Sequence, residues 1–212
     1  MLEESRRSKL ESRLKEVFSE YRELAGGKNY RYHHLTSSRK YAVKLIETVD
    51  EEVDENVVEI AALFHDIGRS KDIENGYLNP IEAHEGHAET GERIVEEHIG
   101  DLVESDTLRK VKQAIGNHHS EPESIEDKIV QDSDLLFKFG VHSLWRKIHY
   151  SCENEETIPE ALEYLNETEF ERMEKWLEEL HFQRSKEVAE KRLEDLKEAV
   201  EKIEVEMEGE DI

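Results

Sequence analysis

The run Ala61-Ala62-Leu63-Phe64-His65-Asp66-Ile67-Gly68 constrains this chain more than any other segment. Two adjacent ionisable residues close an apolar stretch, and a glycine follows. Burying such a pair without compensation costs on the order of several kcal/mol, so a partner or a metal ion has to stand beside it. Consecutive residues cannot share one helical face. The pair therefore belongs where a helix ends, with Gly68 suited to the chain reversal. At such a place Asp66 could bridge two ions through its two carboxylate oxygens.

Further candidate ligands follow the same chemistry. In chain order they are His33-His34, His65-Asp66, His84 and His87, His118-His119, and Asp132 and Asp134. Imidazole and carboxylate together suit Mn, Fe, Co, Ni, Zn and Mg. With one cysteine in the chain, Cys152, neither a thiolate cage nor an intrachain disulfide can form. His84 and His87 stand three apart and can share a helical face. Leu108, Val111, Ile115 and His118 recur in a 3-4-3 rhythm, which turns His118 toward a core. His98, His142, His149 and His181 have no such context and read as ordinary histidines.

Five ordered stretches carry a resemblance: HLTSSRKYAVKL from His34, AALFHDIGR around His65-Asp66, HAETGERIV from His87, IGNHH ending at His119, and IVQDSDLL around Asp134. Together they resemble the HD-domain superfamily of metal-dependent phosphohydrolases, in the branch with extra histidines between the His-Asp pair and the last Asp. The tail HFQRSKEVAEKRLEDL is similar to a C-terminal helix of that branch, so the resemblance spans roughly positions 30 to 200. It implies an all-α fold, a single-domain orthogonal helical bundle over 1–212. Its core would run about 30–150, with an N-terminal helix (1–25) and C-terminal helices (159–205) packed on it.

The resemblance also implies roles. His34, His65, Asp66 and Asp134 match the metal ligands, and His87 and His118 match contacts to a second metal or to phosphate. Apart from the resemblance, Arg69 and Lys71 just beyond the pair read either as a fork and a point charge for substrate phosphate or as surface residues of a charged loop. His33, His84, His119 and Asp132 are the weaker alternates; His33 reads as a surface residue and Asp132 as part of a solvated face. Ser38 stands where the family usually has an aliphatic residue, which leaves a one-residue register open between His33 and His34. The implied cofactor is one or two divalent ions, with Mn or Mg favoured. The implied activity is hydrolysis of a phosphomonoester or pyrophosphate bond in a small phosphorylated molecule, a nucleotide before others. Two alternatives accompany it: a nucleoside triphosphate pyrophosphohydrolase, and a metal-bound, non-catalytic sensor or interaction protein.

Charge narrows the partners. The formal net charge is −24, and from Ser151 onward 22 acidic residues face 8 basic ones. Bulk nucleic acid is a poor partner for such a surface. A small anion is not excluded, because a bound cation inverts the local potential. The start MLEESRRSKLESRL has no apolar signal-peptide core, and no apolar run approaches the roughly 18 residues of a spanning helix. The expectation is a cytoplasmic protein without a membrane partner. The stripe Leu193, Leu196, Val200 and Ile203 suits packing on the domain or against a second copy, so monomer and homodimer both stand.

Periodicity predicts helices throughout and no strand. They cover Leu2 to Leu24, a stretch from about His34, and one after Asp54 that delivers His65-Asp66. After a polar loop with Gly76 and Pro80 comes a helix through His87 to Gly100. Further helices cover Ser105 to His118, a stretch from Ile125 to Gly140, Val141 to Tyr150, Pro159 to Leu180, and Ser185 to Val205.

Overall fold

A computed structural model of the chain describes residues 1–19, 22–23, 26–75 and 86–212. The predicted end of the first helix at Leu24, the turn residues Gly76 and Pro80, and the candidate His84 lie outside the described residues. The chain divides into two compact units, Met1–Asp134 and Leu135–Ile212, and it is all-α apart from one small ladder.

The first unit holds α1 (Glu4–Phe18), α2 (Tyr30–Ile46), α3 (Glu55–Phe64), α4 (Arg69–Glu74), α5 (His87–Ile99), α6 (Ser105–Gly116) and most of α7 (Ile125–Lys138). Two two-residue strands, β1 (Arg22–Glu23) and β2 (Gly27–Lys28), pair antiparallel between α1 and α2. They are absent from the periodicity because two residues carry no alternation.

At the centre lies α3. Every residue from Val57 to Phe64 is buried, and the helix packs on α1, α2 and α6. A helix apolar all round has to be enclosed by others, which is why this one forms the middle of the unit. Asp54 caps its start by accepting from the Val57 amide at 3.4 Å.

One charge sits inside this apolar helix. Glu59 is fully buried and accepts from the Leu2 amide at 2.8 Å, from Arg7 Nε at 2.9 Å and from Arg39 Nε at 2.9 Å. Burial acts to raise its pKa. The Leu2 amide, together with the hydrogen bonds and charge of Arg39, outweighs burial and holds Glu59 below the ordinary glutamate value. Through these bonds Glu59 ties the start of α1 and the middle of α2 to α3.

Gly68 is required by contact. A Cβ on it would lie 2.0 Å from the His87 carbonyl oxygen and 2.8 Å from the Gly91 amide nitrogen. The turn after α3 can therefore approach the first turn of α5 only because no side chain intervenes.

The second unit contains α8 (Ser143–Glu153), α9 (Ile158–Tyr164), a π-helical turn (Leu165–Glu169), α10 (Phe170–Glu179) and α11 (Gln183–Glu208). The predicted continuous helix from Pro159 to Leu180 is thus interrupted by one π turn. Thr157 and Glu160 form a reciprocal capping box at the start of α9. Lys147 is buried with its ammonium 4.0 Å from the Tyr164 ring centre and 2.8 Å from Glu156, so its charge is matched locally. Ala189, Leu193, Leu196 and Val200 form the buried stripe of α11. Among the described residues, no helix is long and apolar enough to cross a membrane.

Candidate metal centre

The candidate ligands come from helix ends and turns of the first unit. His34 lies in the first turns of α2, and His65-Asp66 begins the turn that closes α3. His87 opens α5, His118-His119 follows the end of α6, and Asp134 sits on α7.

Their ring and carboxylate atoms converge. His34 Nε2 lies 3.1 Å from His65 Nε2, 3.4 Å from Asp66 Oδ2 and 3.2 Å from Asp134 Oδ1. His65 Nε2 lies 3.7 Å from Asp66 Oδ2 and 3.6 Å from Asp134 Oδ1. On the other side, His87 Nε2 stands 3.2 Å from Asp66 Oδ1, and His118 Nε2 stands 3.7 Å from the same oxygen. His118 Nε2 and His119 Nε2 approach His87 Nε2 at 3.3 and 3.1 Å. Asp66 thus turns one oxygen to each of two histidine groups. Each group, Asp66 with His87, His118 and His119, or Asp66 with His34 and His65, offers ligand atoms within 4.8 Å of one another.

Ring orientation is set from behind. His65 Nδ1 lies 2.9 Å from the Ala62 carbonyl and His118 Nδ1 lies 2.6 Å from the Ile115 carbonyl. A carbonyl can only accept, so each Nδ1 donates its proton, and Nε2 is the ring atom turned to the cluster.

Burial acts to raise the Asp66 pKa, but the charge of Arg31, with His65 and hydrogen bonds from His118 and His34, overrides it and holds the carboxyl well below the usual range. Burial pushes the His87 pKa down; Arg69 and His118 add to this, while Asp66 opposes it. An ionised Asp66 beside a neutral His87 is the protonation state a cation demands. Buried imidazole lone pairs and carboxylates facing one another fit a borderline or hard divalent ion, and the chain has a cluster able to hold one.

Several expectations resolve in the geometry. His34 is buried in the cluster, whereas His33 is exposed with its ring edge against Tyr32. Ser38, four residues on, is buried on the same side of α2 as His34. His118 joins the cluster as the periodicity predicts, but not from a helix. The helix α6 ends at Gly116, and the turn beyond it lets the adjacent His119 reach the same site.

Asp132 requires a correction. It is fully buried rather than part of a solvated face, because α7 is enclosed on every side from Ile129 to Leu136. Asp134 is the α7 carboxylate that meets His34 and His65. Of the two cations offered to phosphate, Arg69 is partly buried, pairs with Asp72 at 3.1 Å and acts on His87. Lys71 is half-exposed and pairs with Glu74 at 2.9 Å.

Arg31 escaped the sequence reading. Its guanidinium pairs with Asp66 Oδ2. Its position three residues before His34 puts the two on one helical face, a signal that could have been used.

The HD-domain family model matches residues 31–137, which contain all of these groups. No protein of curated function matches the sequence. Among solved structures, Bacillus subtilis YpgQ in complex with ADP is 18% identical with a TM-score of 0.68, covering 95% of each chain. A predicted HD superfamily hydrolase from an uncultured Thermotogales bacterium is 21% identical with a TM-score of 0.64, covering 94% of this chain and 92% of its own. A Lactobacillus plantarum protein is 18% identical with a TM-score of 0.63, covering 99% of this chain and 100% of its own. At these identities the likeness is one of fold.

Proposed function

Because this chain belongs to the HD-domain family, we propose that it is a divalent-metal-dependent phosphohydrolase acting on a small phosphorylated substrate, a nucleotide before others. The observation that carries the reading is Asp66, whose two oxygens face separate histidine groups. His34, His65, Asp66 and Asp134 would hold one ion. His87, His118 and His119, together with Asp66, would hold a second. Mn or Mg is the favoured metal.

Bound there, divalent ions supply an activated water at neutral pH and offset the charge on phosphoryl oxygens. The chain supplies the rest. His65 and His118, fixed by the Ala62 and Ile115 carbonyls, turn their Nε2 atoms to the site. Arg69 lies beside His87, where the part of its guanidinium not engaged by Asp72 can donate to a phosphate oxygen. Such fixed cations draw a small anion into a protein whose net charge of −24 would otherwise repel it.

The nucleotide preference is supported by the ADP held in Bacillus subtilis YpgQ, a protein of similar fold. That the solved relatives are covered over at least 92% of their own lengths supports reading residues 1–212 as one functional HD-type domain.

The deciding experiment measures phosphate and pyrophosphate release from a panel of nucleoside mono- and triphosphates with Mn or Mg, for the native protein and Asp66→Ala. Release that vanishes in the variant supports the proposal, and pyrophosphate as product selects the pyrophosphohydrolase alternative. A folded, metal-loaded native protein that releases neither product from any nucleotide moves the reading to a non-nucleotide phosphate or to the sensor alternative.

A further inference from the structure

We propose that Gln131, with Asp127, is a positioning residue that clamps the turn bearing His118 and His119, and so builds the second half of the candidate metal centre. The inference rests on the two-group reading of the site given above.

The physical difficulty is that His118 and His119 are consecutive. On a helix their side chains would diverge by about 100°. Here both rings reach His87 Nε2, which a turn permits only if its backbone is held in one conformation. A turn directs carbonyls away from the helical ladder, where donors from a neighbouring helix can reach them.

Gln131 supplies those donors. Its side-chain nitrogen lies 2.7 Å from the Asn117 carbonyl and 2.8 Å from the Ser120 carbonyl. These two carbonyls flank the histidine pair on either side, so one amide group spans the turn. Asp127 fastens the same segment a second way. Its Oδ2 accepts from the Asn117 side chain at 2.9 Å and from the Glu123 amide at 2.9 Å. Asp127 is itself held, its amide donating to Ser124 Oγ at 3.1 Å at the start of α7.

Spacing makes this a single device. Asp127, Gln131 and Asp134 stand at i, i+4 and i+7 and share one face of α7. The same face that presents Asp134 to His34 therefore holds the turn presenting His118 and His119 to His87. Neither Gln131 nor Asp127 is among the residues whose contacts define the two ligand groups. They act on those groups only through the backbone of the turn.

The test compares the native protein with Gln131→Met, which keeps length and volume but removes both donors. Two readouts are taken: the imidazole resonances of the metal-free protein by NMR, and Mn binding by titration calorimetry. The expected result is that the His118 and His119 ring signals shift while those of His34 and His65 stay. One Mn site should also weaken by about 10–100-fold with the other unchanged, the size of effect that outer partners of metal ligands have. Unmoved His118 and His119 signals, or an equal weakening of both sites, would overturn the proposal.

If the native protein takes up one Mn only, the two-group reading fails; the metal-free imidazole signals then decide the clamp by themselves. Should Gln131→Met not fold, Gln131→Asn is judged by the same criteria. It keeps the amide but withdraws it by one methylene, so that it cannot span both carbonyls.

Discussion

Glu59 and Asp66 are buried carboxylates about two helical turns apart along one segment, and the chain surrounds them differently. Glu59 is bound by two arginines and a backbone amide, which are permanent donors. Asp66 has one arginine and is otherwise faced by imidazoles, whose nitrogens can donate a proton or a lone pair. The first arrangement is complete within the chain and serves the fold. The second could hold a further cation, as the proposed function requires. A buried acid is therefore read by the company it keeps, not by its burial.

The largest effects should separate the two acids. Glu59→Ala leaves the buried Arg39 with only its longer pair to Glu11 at 3.8 Å and should cost about 3 kcal/mol of stability, while the folded fraction keeps its turnover. Asp66→Ala should lower turnover by more than about 100-fold, beyond what loss of an outer partner causes. Denaturant unfolding and rates per folded molecule check both. Parallel losses of stability and rate in the two variants would erase the distinction.

Next comes metal linkage. Mn at 100 times its dissociation constant should stabilise the native protein by about 2.7 kcal/mol, and a chelator should reverse this. The same addition should stabilise Glu59→Gln equally and Asp66→Ala far less, as read from melting curves.

Gly68→Ala tests the contact that joins the two halves of the site. Its methyl would strike the His87 carbonyl oxygen. A loss of about 1–3 kcal/mol from overpacking is expected. Because His87 is displaced, metal affinity should fall with it, which calorimetry would detect.

A smaller effect follows from pH. The Glu59 pKa is depressed in the folded protein, so its contribution is fully present above the unfolded value of about 4.3 and is lost as pH falls through the lower folded value. The stability difference between the native protein and Glu59→Gln should therefore be constant at neutral pH and shrink below about pH 4. A difference independent of pH down to 2 would mean that Glu59 is not the ionised centre of its cluster.

The smallest effect belongs to Lys71. Its exposed pair with Glu74 is worth little, and Lys71→Ala should change stability by no more than about 0.5 kcal/mol. Arg69→Ala, by contrast, should raise KM for a phosphorylated substrate. Equal KM values in the two variants would remove Arg69 from phosphate binding.

Much of this site was legible before any fold. His65-Asp66 ends α3 because adjacent ionisable residues after an apolar run have no shared face to occupy. The rhythm through Leu108 and Ile115 pointed His118 inward, and it is buried. The same periodicity failed where a helix stopped. Extended to His118, it concealed the turn that admits His119. The resemblance, which favoured Asp134, left Asp132 to a solvated face, because a motif on one helix does not report how many neighbours enclose it.

The sequence by itself determined the helical class, the apolar α3 and the order of the ligands, since propensity, periodicity and side-chain chemistry are local. Tertiary structure alone decided which of two adjacent histidines enters the cluster. It likewise decided that Arg31 faces Asp66 and that a glutamine on α7 spans the turn after α6. The reason is that convergence depends on distances between segments remote in the chain, and those distances are set by packing, here by the absence of a side chain at Gly68.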